Sequence, residues 1–396
     1  MSVPKLRFKE FDGDWILNNI GKFLIEYKEK VPSSTEIEIY SSSREGLKPQ
    51  KDYFDNRELQ NFGEYGVVPP NYFTYRHMSD DTTFKFNINS IGKKIAVSKE
   101  YPVFTTNEDL DSQFLLLKLN ESNDFKKFAI EQKKGGTRTR LYFKALCTWE
   151  TRLPSISEQT KIASFLSAVD EKISQLTQKH ELLSQYKQGM MQKLFSQQIR
   201  FKADDGSEFG EWGETTLGQT GKFIGGGTPS KENSEFWNGS IPWISSSDLT
   251  EESIFKIKIT RFISQNALNQ SATKLVPANS ILIVSRVGVG KVAITPNEIC
   301  TSQDFTSLTL CKGSSIFFAY LIKSLTPYLL EMNQGTSIKG FVKDDLANLE
   351  LKIPCLEEQT KIANFLSSID QKIEIVSQQI EQAKQWKKGL LQQMFV

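Results

Sequence analysis

The chain has 396 residues, of which 38% are hydrophobic and 27 are phenylalanine, enough apolar material for two hydrophobic cores. Its formal net charge is only +2, which excludes a strongly basic nucleic-acid binder and confines any DNA-binding surface to a local patch. The four cysteines, Cys147, Cys300, Cys311 and Cys355, lack CxxC spacing, which argues against a zinc or disulfide framework and predicts buried, reduced thiols.

Histidine catalysis and membrane insertion are both disfavoured. The two histidines, His77 and His180, have no plausible Ser, Cys or second-His catalytic partner nearby in the sequence, so acid–base catalysis by histidine is not expected. This observation does not exclude catalysis by aspartate or glutamate side chains. There is no signal-peptide pattern and no apolar run long enough to span a bilayer, so we predict a cytoplasmic protein without a membrane partner.

The first predicted element is a short arm, which recurs in the middle of the chain. Its Leu-Arg-Phe-Lys stretch at residues 6–9 precedes Trp15, and the Ile-Arg-Phe-Lys stretch at residues 199–202 precedes Trp212. Each half of the chain therefore consists of an arm, a globular domain and a long helix. The predicted order is the arm 1–14, a first domain 15–153, a helix 154–198, a linker 199–211, a second domain 212–353 and a helix 354–396.

The globular domains show the mixed patterns of an α/β (α+β) fold. Residues 113–119 of the first domain form a continuous apolar run that predicts a strand. In the second domain, residues 280–284 predict a strand and residues 317–332 a helix. Both domains end with the same predicted strand, at residues 150–153 and 350–353.

Candidate DNA contacts in the first domain lie mainly in two polar stretches. Residues 41–44 (Ser-Ser-Ser-Arg) supply hydroxyl donors for phosphates or base edges, and residues 133–140 combine glycines with lysines and arginines. Two arginines placed two residues apart suit phosphates, or guanine edges in the major groove. A helix start or a solvated loop would give the same patterns. The candidates are Ser41, Ser42, Ser43, Arg44, Arg76, Lys134, Arg138 and Arg140.

The long helix after each domain is a repeat of the other, and 12 of the 16 residues at 158–173 are identical at 358–373. Residues 158–173 recur as residues 358–373, and the match runs without a gap from Pro154 to Phe195. Apolar residues alternate at spacings of four and three, the heptad seam of a coiled coil. Each helix is about 60 Å long at 1.5 Å per residue. The seam and docking candidates are Ile162, Phe165, Leu166, Val169, Ile173 and Leu176, with Ile362, Phe365, Leu366, Ile369, Ile373 and Val376.

Local signals mark the start and the register of each helix. Ser155 with Glu158 forms a capping-box pattern ahead of the first helix, whereas Cys355 takes the place of the serine in the second copy. Lys187 and Lys387 interrupt the apolar seams, and polar seam residues usually set register and partner choice at some cost in stability.

The apolar residues on and off the seam predict what the long helices pack against. Two helices with matching seams most simply pack on each other, and an antiparallel pair separates the two domains. Tyr186 and Trp386 are apolar residues off the seam, which predicts either contact with this chain's own domains or a docking face for another subunit. Gly189 and Gly389 fall inside the helices and predict close backbone approach there.

The second domain carries its own candidate contacts. Residues 225–230 (Gly-Gly-Gly-Thr-Pro-Ser) suit a loop on a phosphate backbone, although an ordinary turn has the same composition. Residues 285–292 resemble a P-loop only superficially, because Ser285 stands where glycine is needed and Val292 where Ser or Thr is needed. The candidates are Gly226, Gly227, Thr228, Ser230, Lys231, Ser245, Ser246, Ser247, Arg286, Lys291, Thr336 and Lys339.

These repeats and motifs resemble the specificity subunit of a Type I restriction-modification system over essentially the whole length. The paired Pro…Glu-Gln-x-Lys-Ile-Ala-x-Phe-Leu-Ser blocks at residues 154–173 and 354–373 are the most specific part of the resemblance. The Gly-Thr-Pro-Ser stretch at residues 227–230 and the Ile-Pro-Trp-Ile stretch at residues 241–244 come next. The first domain lacks the Gly-Thr-Pro-Ser pattern, which is expected if the two domains read different targets.

The resemblance implies a non-catalytic DNA-binding subunit. Each domain would be a target recognition domain that reads one half of a bipartite, asymmetric double-stranded DNA site, and the helices would form an antiparallel coiled coil that sets the spacing. Two modification (methyltransferase) subunits and two restriction subunits would dock on this frame. The chain itself would hold no cofactor, because the methyl donor, ATP and Mg would be bound by those partners. The alternatives are a stand-alone nuclease with unrecognised carboxylates and a coiled-coil scaffold that binds only proteins.

Overall fold

The structure is a computed structural model that describes residues 4–53, 63–133, 137–332 and 340–395. The chain forms two compact units. The first unit consists of residues 1–176 and 379–396, and the second of residues 177–378. Both unit boundaries fall inside long helices, so each long helix contributes one part to each unit.

The first unit contains a mixed α/β domain followed by the first long helix. Its elements are β1 (Ile16–Asn19), β2 (Leu24–Glu26), β3 (Lys30–Pro32), β4 (Tyr40–Ser43), β5 (Gly46–Pro49), α1 (Gln50–Tyr53), β6 (Glu64–Val68), β7 (Phe73–Tyr75), β8 (Met78–Ser79), β9 (Phe86–Ile88), β10 (Ile95–Ser98), β11 (Val103–Thr106), α2 (Ser112–Glu121), α3 (Asn123–Glu131), β12 (Thr139–Arg140), α4 (Phe143–Leu146), β13 (Glu150–Leu153) and the long helix α5 (Ile156–Phe195).

Antiparallel sheets organise the first domain. The strand orders are β10-β6-β3 and β2-β11-β7-β9, with the hairpin β4-β5 and the pairs β12-β8 and β1-β13. Pairing of β1 with β13 sets Ile16 opposite Leu153, so the domain begins and ends at one place, next to the start of α5. Aromatic side chains fill the core, and Phe73 stacks on Phe104 with ring centroids 4.7 Å apart.

The strand predicted at residues 113–119 is wrong, because this stretch lies in helix α2. The Asp111 carboxylate accepts a hydrogen bond from the Phe114 N–H at 2.9 Å and caps the helix. The buried side chains are Phe114, Leu115, Lys118 and Leu119, which recur with the period of a helix and not of a strand. A short apolar run fits either element, and the cap decides here.

The second unit repeats the plan with a different domain. Its elements are β14 (Gly213–Thr216), α6 (Leu217–Thr220), β15 (Gly221–Gly225), β16 (Ile241–Ile244), β17 (Arg261–Ile263), α7 (Gln265–Gln270), β18 (Leu275–Val276), β19 (Ile281–Val284), β20 (Val292–Ile294), β21 (Ile299–Thr301), β22 (Phe305–Leu310), α8 (Ser315–Met332), α9 (Lys343–Ala347), β23 (Glu350–Ile353) and the long helix α10 (Leu356–Met394).

Two four-stranded sheets, β15-β22-β19-β20 and β17-β16-β21-β18, build the second domain. The pairing of β16 with β21 is parallel, and the other pairings in these sheets are antiparallel. The pair β14-β23 closes this domain as β1-β13 closes the first. The strand at 280–284, the helix at 317–332 and both last strands are thus where the sequence predicts them.

The long helices run antiparallel, which confirms the prediction from their seams. In the first unit, Lys387 of α10 donates to Asp170 of α5 at 2.5 Å. In the second unit, Lys187 of α5 donates to Asp370 of α10, also at 2.5 Å. Within each unit the early part of one helix therefore packs on the late part of the other. Both seam lysines have found an aspartate at the repeat-equivalent position.

The seam residues are committed to this chain's own cores. Ile162, Leu166 and Val169 join the core of the first unit, and Ile362, Leu366 and Ile369 that of the second. Off the seam, Phe165 lies against the ring of Phe8, and Phe365 against that of Phe201. These side chains are therefore packing residues. Trp386 also lies edge-on to Phe165, with ring centroids 5.9 Å apart, but Tyr186 and Trp386 stay 51% and 54% exposed.

A buried glutamate ties each arm to the start of each long helix. The Glu158 carboxylate accepts two hydrogen bonds from Arg7, both at 2.7 Å, and one from Trp15 Nε1 at 3.3 Å. Glu358 accepts from Arg200 and Trp212 in the same way. The predicted capping box is therefore only half formed, because Ser155 Oγ caps the Glu158 N–H but the carboxylate turns to the arm.

The close backbone approach predicted at the helix glycines is wrong. A Cβ added at Gly189 or at Gly389 would meet nothing within 4 Å. By contrast, a Cβ at Gly21 would lie 2.5 Å from the Cys147 carbonyl oxygen, and one at Gly218 would lie 2.9 Å from that of Ala347. Glycine is required by packing at the second pair of positions and not at the first.

We therefore expect Gly189→Ala and Gly389→Ala each to raise the free energy of unfolding by about 1 kcal/mol, since alanine is the better helix former. Chemical denaturation of the isolated chain measures this effect. Gly21→Ala is the matched control and should destabilise the chain, because its Cβ has no room. A loss of stability in Gly189→Ala would mean that the helix backbone at this position does not tolerate a side chain.

The four cysteines differ in their burial. Cys300 is buried and Cys147 half-buried, but Cys311 and Cys355 are exposed, so the prediction of buried thiols is wrong for these two. Cys355 stands just ahead of α10, at the surface position that Ser155 occupies in the first copy. Within the described ranges, no helix is both long and apolar enough to cross a membrane.

Candidate nucleic-acid interface

The first unit has a groove lined with cationic side chains, which we call the first basic face. The hairpin β4-β5, the end of β7 and the loop after β8 surround a groove of 280 Å³. Arg44, Lys48, Arg76 and Lys85 line it, against the two carboxylates Glu45 and Asp80. The strand pair β8-β12 brings Arg138 and Arg140 to the same place, because Thr139 lies opposite Ser79.

The serines of this region hold the hairpin together, and Ser42 and Ser43 also line the groove. Ser41 and Ser42 are buried, and Ser42 Oγ accepts a hydrogen bond from Asn87 Nδ2 at 2.8 Å. Ser43 Oγ donates to the Gly46 carbonyl oxygen across the hairpin turn, also at 2.8 Å. Ser42 and Ser43 thus hold the hairpin that presents Arg44, and their direct contact with DNA stays a prediction, whereas Ser41 is buried and does not line the groove.

Two adjacent aspartates hold two of the arginines. Arg44 Nη2 donates to Asp81 Oδ1 at 2.6 Å, and Arg138 Nε donates to Asp80 Oδ1 at 2.8 Å. Asp81 also accepts from Ser79 Oγ and from the Thr83 N–H. The hydrogen bond from Arg44, followed by the bond from Ser79, lowers the pKa of the Asp81 carboxyl well below its usual range, which keeps that carboxylate charged.

Arg76 and Arg140 are exposed on the same face, whereas Lys134 lies outside the described residues. Lys48, Lys85, Asp80 and Asp81 also belong to this face and were not predicted from the sequence. Nothing in their local pattern marks them, because their role depends on strand pairs between distant stretches. Asp-Asp pairs occur at residues 80–81, 204–205 and 344–345, so the pair alone does not distinguish Asp80 and Asp81.

In the second unit, the ends of several strands bring the candidate loops together. The Gly226 N–H donates to the Phe305 carbonyl oxygen at 3.3 Å, the Ser302 N–H to that of Ile244 at 2.9 Å, and the Ser285 N–H to that of Asp304 at 2.8 Å. The loops after β15, β16 and β19 therefore meet at one edge of the domain. We call this edge the second basic face.

The glycines of the Gly-Gly-Gly-Thr-Pro-Ser loop serve internal packing. A Cβ at Gly226 would lie 2.0 Å from the Ser302 carbonyl oxygen, and a Cβ at Gly227 would lie 2.4 Å from the Ala272 carbonyl carbon. The close approach at these two glycines is therefore to the chain's own backbone, and the contact of this loop with a phosphate stays a prediction. Thr228 Oγ1 donates to Gln303 Oε1 at 2.5 Å. This arrangement leaves Ser230 and Lys231 exposed at the end of the loop.

The serine stretch of the second domain also supports cations. Ser245 Oγ accepts from Arg261 Nη2 at 2.8 Å, and the Arg261 guanidinium lies 4.7 Å from the ring centroid of Trp243. The carbonyl oxygen of the buried Ser246 accepts from Lys291 Nζ at 3.1 Å. Ser247 is exposed next to them. Arg261 is a candidate that the sequence analysis missed, because it lies in β17, away from the motifs.

Arg286 is exposed in the loop after β19, next to Gly340, whose added Cβ would lie 3.3 Å from its Cα. Thr336 and Lys339 lie outside the described residues. Each unit thus presents arginine and lysine donors on a face built from strand ends and loops. Such donors can neutralise phosphates and read base edges in a groove.

Comparison with known proteins identifies what these units are similar to. The family model for the Type I restriction modification DNA specificity domain matches residues 55–185 and 210–385. The Type I restriction enzyme MjaIX specificity subunit of Methanocaldococcus jannaschii is 31% identical over 192 residues, which are 47% of this chain and 44% of that subunit. This chain therefore spans less than half the length of that relative.

Two further comparisons extend over nearly the whole chain. The MjaVIII specificity subunit of the same organism is 26% identical over 422 aligned positions, which cover 97% of this chain and 94% of that subunit. The crystal structure of a Type-I restriction-modification system S subunit from M. genitalium covers 100% of this chain and 99% of its own, with a TM-score of 0.61 and 16% identity. The fold is thus shared with that S subunit.

Proposed function

We propose, from the premise that this chain belongs to the Type I restriction modification DNA specificity family, that it is the sequence-reading subunit of a Type I restriction-modification complex. Its two domains each read one half of a bipartite, asymmetric site in double-stranded DNA. The chain performs no catalysis of its own. The methyl donor, ATP and Mg are bound by its partner subunits, and the complex works in the cytoplasm, where the host DNA is.

The observation that carries this proposal is the pair of basic faces, one in each unit, on a repeated helical frame. The first face presents Arg44, Arg76 and Arg138, whereas the second presents Arg261 from β17 and Arg286 from the loop after β19. Different side chains on different loops read different bases. Two unlike readers on one repeated frame therefore favour a target without palindromic symmetry, in contrast to the sites of symmetric dimers.

The same repeat supports two equivalent docking places for partners. Tyr186 and Trp386 occupy equivalent positions in the two helices and are both exposed, 51% and 54%. Equivalent surfaces on a repeated frame suit two copies of one protein. We propose that two modification (methyltransferase) subunits dock there and that two restriction subunits join the assembly. The net charge of +2 fits a chain that binds DNA weakly alone and leaves part of the grip to these subunits.

The test is the DNA affinity of the assembled complex after loss of one arginine on each face. We expect Arg76→Ala with Arg286→Ala to weaken binding about 60-fold at 0.1 M salt, and to make the slope of log K against log salt shallower by about 1.8, if each arginine neutralises one phosphate. Lys126→Ala with Lys312→Ala is the control, because both lysines are exposed in the same two domains but lie outside the faces.

The outcomes separate the proposed function from its alternatives. Unchanged affinity in the arginine variant would favour a scaffold that binds only proteins. Magnesium-dependent cleavage of DNA by the pure chain would favour a stand-alone nuclease. Loss of binding in both the arginine and the lysine variants would show a general charge effect without a defined interface.

A further inference from the structure

The pair formed by Arg138 and Asp80 differs from the other cations of the first basic face in its geometry. Thr139 lies opposite Ser79 and Arg140 opposite Met78, so this register sets Arg138 opposite Asp80 at the open end of the β8-β12 pair. Arg138 Nε donates to Asp80 Oδ1 at 2.8 Å. The side chains are 53% and 67% exposed, so both are available to a ligand.

The hydrogen bond to Asp80 leaves the forked end of the guanidinium open. Within the described residues, Arg138 donates through Nε alone, and Nη1 and Nη2 have no partner. Arg44 donates through Nη2 to Asp81, and Arg261 uses Nη2 for both Ser245 and Asp248. Arg138 therefore keeps the two parallel N–H donors that a bidentate contact needs, and its carboxylate partner orients them.

The exposed carboxylates argue for a base edge as the ligand in preference to a phosphate. Asp80 and Asp81 are 67% and 50% exposed, and a phosphate beside them would be repelled. A G·C pair in the major groove instead offers the O6 and N7 acceptors of guanine and the N4 amino donor of cytosine. The two N–H donors of arginine suit guanine O6 and N7, and the carboxylate of aspartate suits the N4 amino group of cytosine.

Phosphate contacts are left to neighbouring cations. Arg76 and Arg140 are exposed on the same face, and neither forms an ion pair within the described residues. Arg140 lies on the same side of β12 as Arg138, because side chains alternate along a strand and the intervening Thr139 is buried. The first basic face thus contains one charge-balanced pair, Arg138 with Asp80, and separate unpaired cations. This is expected where the pair contacts a base and the cations contact the DNA backbone.

We propose that Arg138 and Asp80 together read a G·C base pair in the major groove, so that the half-site of the first domain contains such a pair. Arg138 donates through Nη1 and Nη2 to guanine, and Asp80 accepts from the N4 amino group of cytosine. This inference rests on the proposed function, and it adds the identity of one base pair and the residues that select it.

The experiment is selection from a library of randomised duplexes by the full chain assembled with the modification subunits of its host. The wild-type complex should return a bipartite motif in which one half has an invariant G·C pair. Arg138→Lys, which keeps the charge but loses the fork, and Asp80→Ala should both relax the preference at that one pair by about 5- to 150-fold. Arg140→Ala is the matched control and should weaken binding without altering the motif.

The possible results distinguish a failure of the proposed G·C reading by Arg138 and Asp80 from a failure of the proposed DNA-specificity function. A bipartite motif that stays unchanged in Arg138→Lys and Asp80→Ala overturns the inference and leaves the proposed function intact, as does a motif in which relaxation occurs at an A·T pair. A wild-type complex without any sequence preference overturns the proposed function. Thermal unfolding of each variant beside the wild type ensures that a relaxed motif reflects recognition and not loss of fold.

Discussion

Replacement of Glu358 by alanine is expected to lower the free energy of unfolding of the second unit by about 3–5 kcal/mol, the usual cost of breaking a buried charge pair. The Glu358 side chain is fully buried and accepts hydrogen bonds from Arg200 Nε, Arg200 Nη2 and Trp212 Nε1. Alanine would leave the guanidinium and the indole N–H without their acceptor. Glu158→Ala should have the same effect on the first unit, where Arg7 and Trp15 take the equivalent roles.

Chemical denaturation of the full chain measures this prediction, with the fluorescence of its six tryptophans, Trp15 and Trp212 among them, as the signal. Glu357→Ala is the control, because Glu357 precedes Glu358 in the same helix turn but is exposed, and it should change the stability by no more than about 0.5 kcal/mol. Glu358→Gln separates shape from charge and should fall between the two. Equal stability of Glu358→Ala and Glu357→Ala would refute the idea that the arm is held by a buried ion pair.

The second large effect is expected at the cross-helix pairs, which are equivalent in the repeat but differ in burial. Lys187 and Asp370 are 8% and 7% exposed, and Asp370 also accepts a hydrogen bond from the Tyr320 hydroxyl at 2.5 Å. The pair of Lys387 and Asp170 is 23% and 49% exposed. Asp370→Ala should therefore cost about 3–5 kcal/mol, and Asp170→Ala at most about 1 kcal/mol.

The two aspartate variants form a matched pair, because they remove the same group from equivalent helix positions. Removal of the partners together should restore stability, since an apolar cluster of similar volume replaces the buried ions at little or no cost. We therefore expect Lys187→Met with Asp370→Leu and Tyr320→Phe to unfold at a denaturant concentration close to that of the wild type. Equal losses in Asp370→Ala and Asp170→Ala would show that burial does not determine the strength of these pairs.

The contrast between these pairs shows where sequence reasoning stops. The repeat places a lysine at 187 and at 387 and an aspartate at 170 and at 370, so the pairing of the helices follows from the sequence. The sequence does not show which of the two lysine–aspartate pairs is buried. Tyr320 of the second domain covers one pair, with its ring centroid 5.1 Å from Lys187 Nζ. The domains diverge, and so the environments of identical helix residues diverge as well.

The DNA-binding candidates divide in a similar way. Local sequence motifs identified Arg44, Arg138 and Arg286 as candidates, because arginines beside glycines and serines are typical of nucleic-acid contacts. It did not identify Asp80 or Arg261, whose positions depend on strand pairs formed between distant stretches. Ser42 and Gly226 were assigned to the surface because small residues suit both DNA contacts and tight internal packing, and only the atoms around them distinguish the two roles.

The sequence by itself determined the plan of the chain. Heptad periodicity is a local property that can be read without coordinates, and the recurrence of the arm, of the helix and of Glu158 as Glu358 indicated two equivalent halves. The tertiary structure alone decided which face each domain presents, which charges are buried and that residues 113–119 are helical. Those outcomes depend on contacts between residues far apart in the chain, and such contacts leave no periodic signal in the residues that make them.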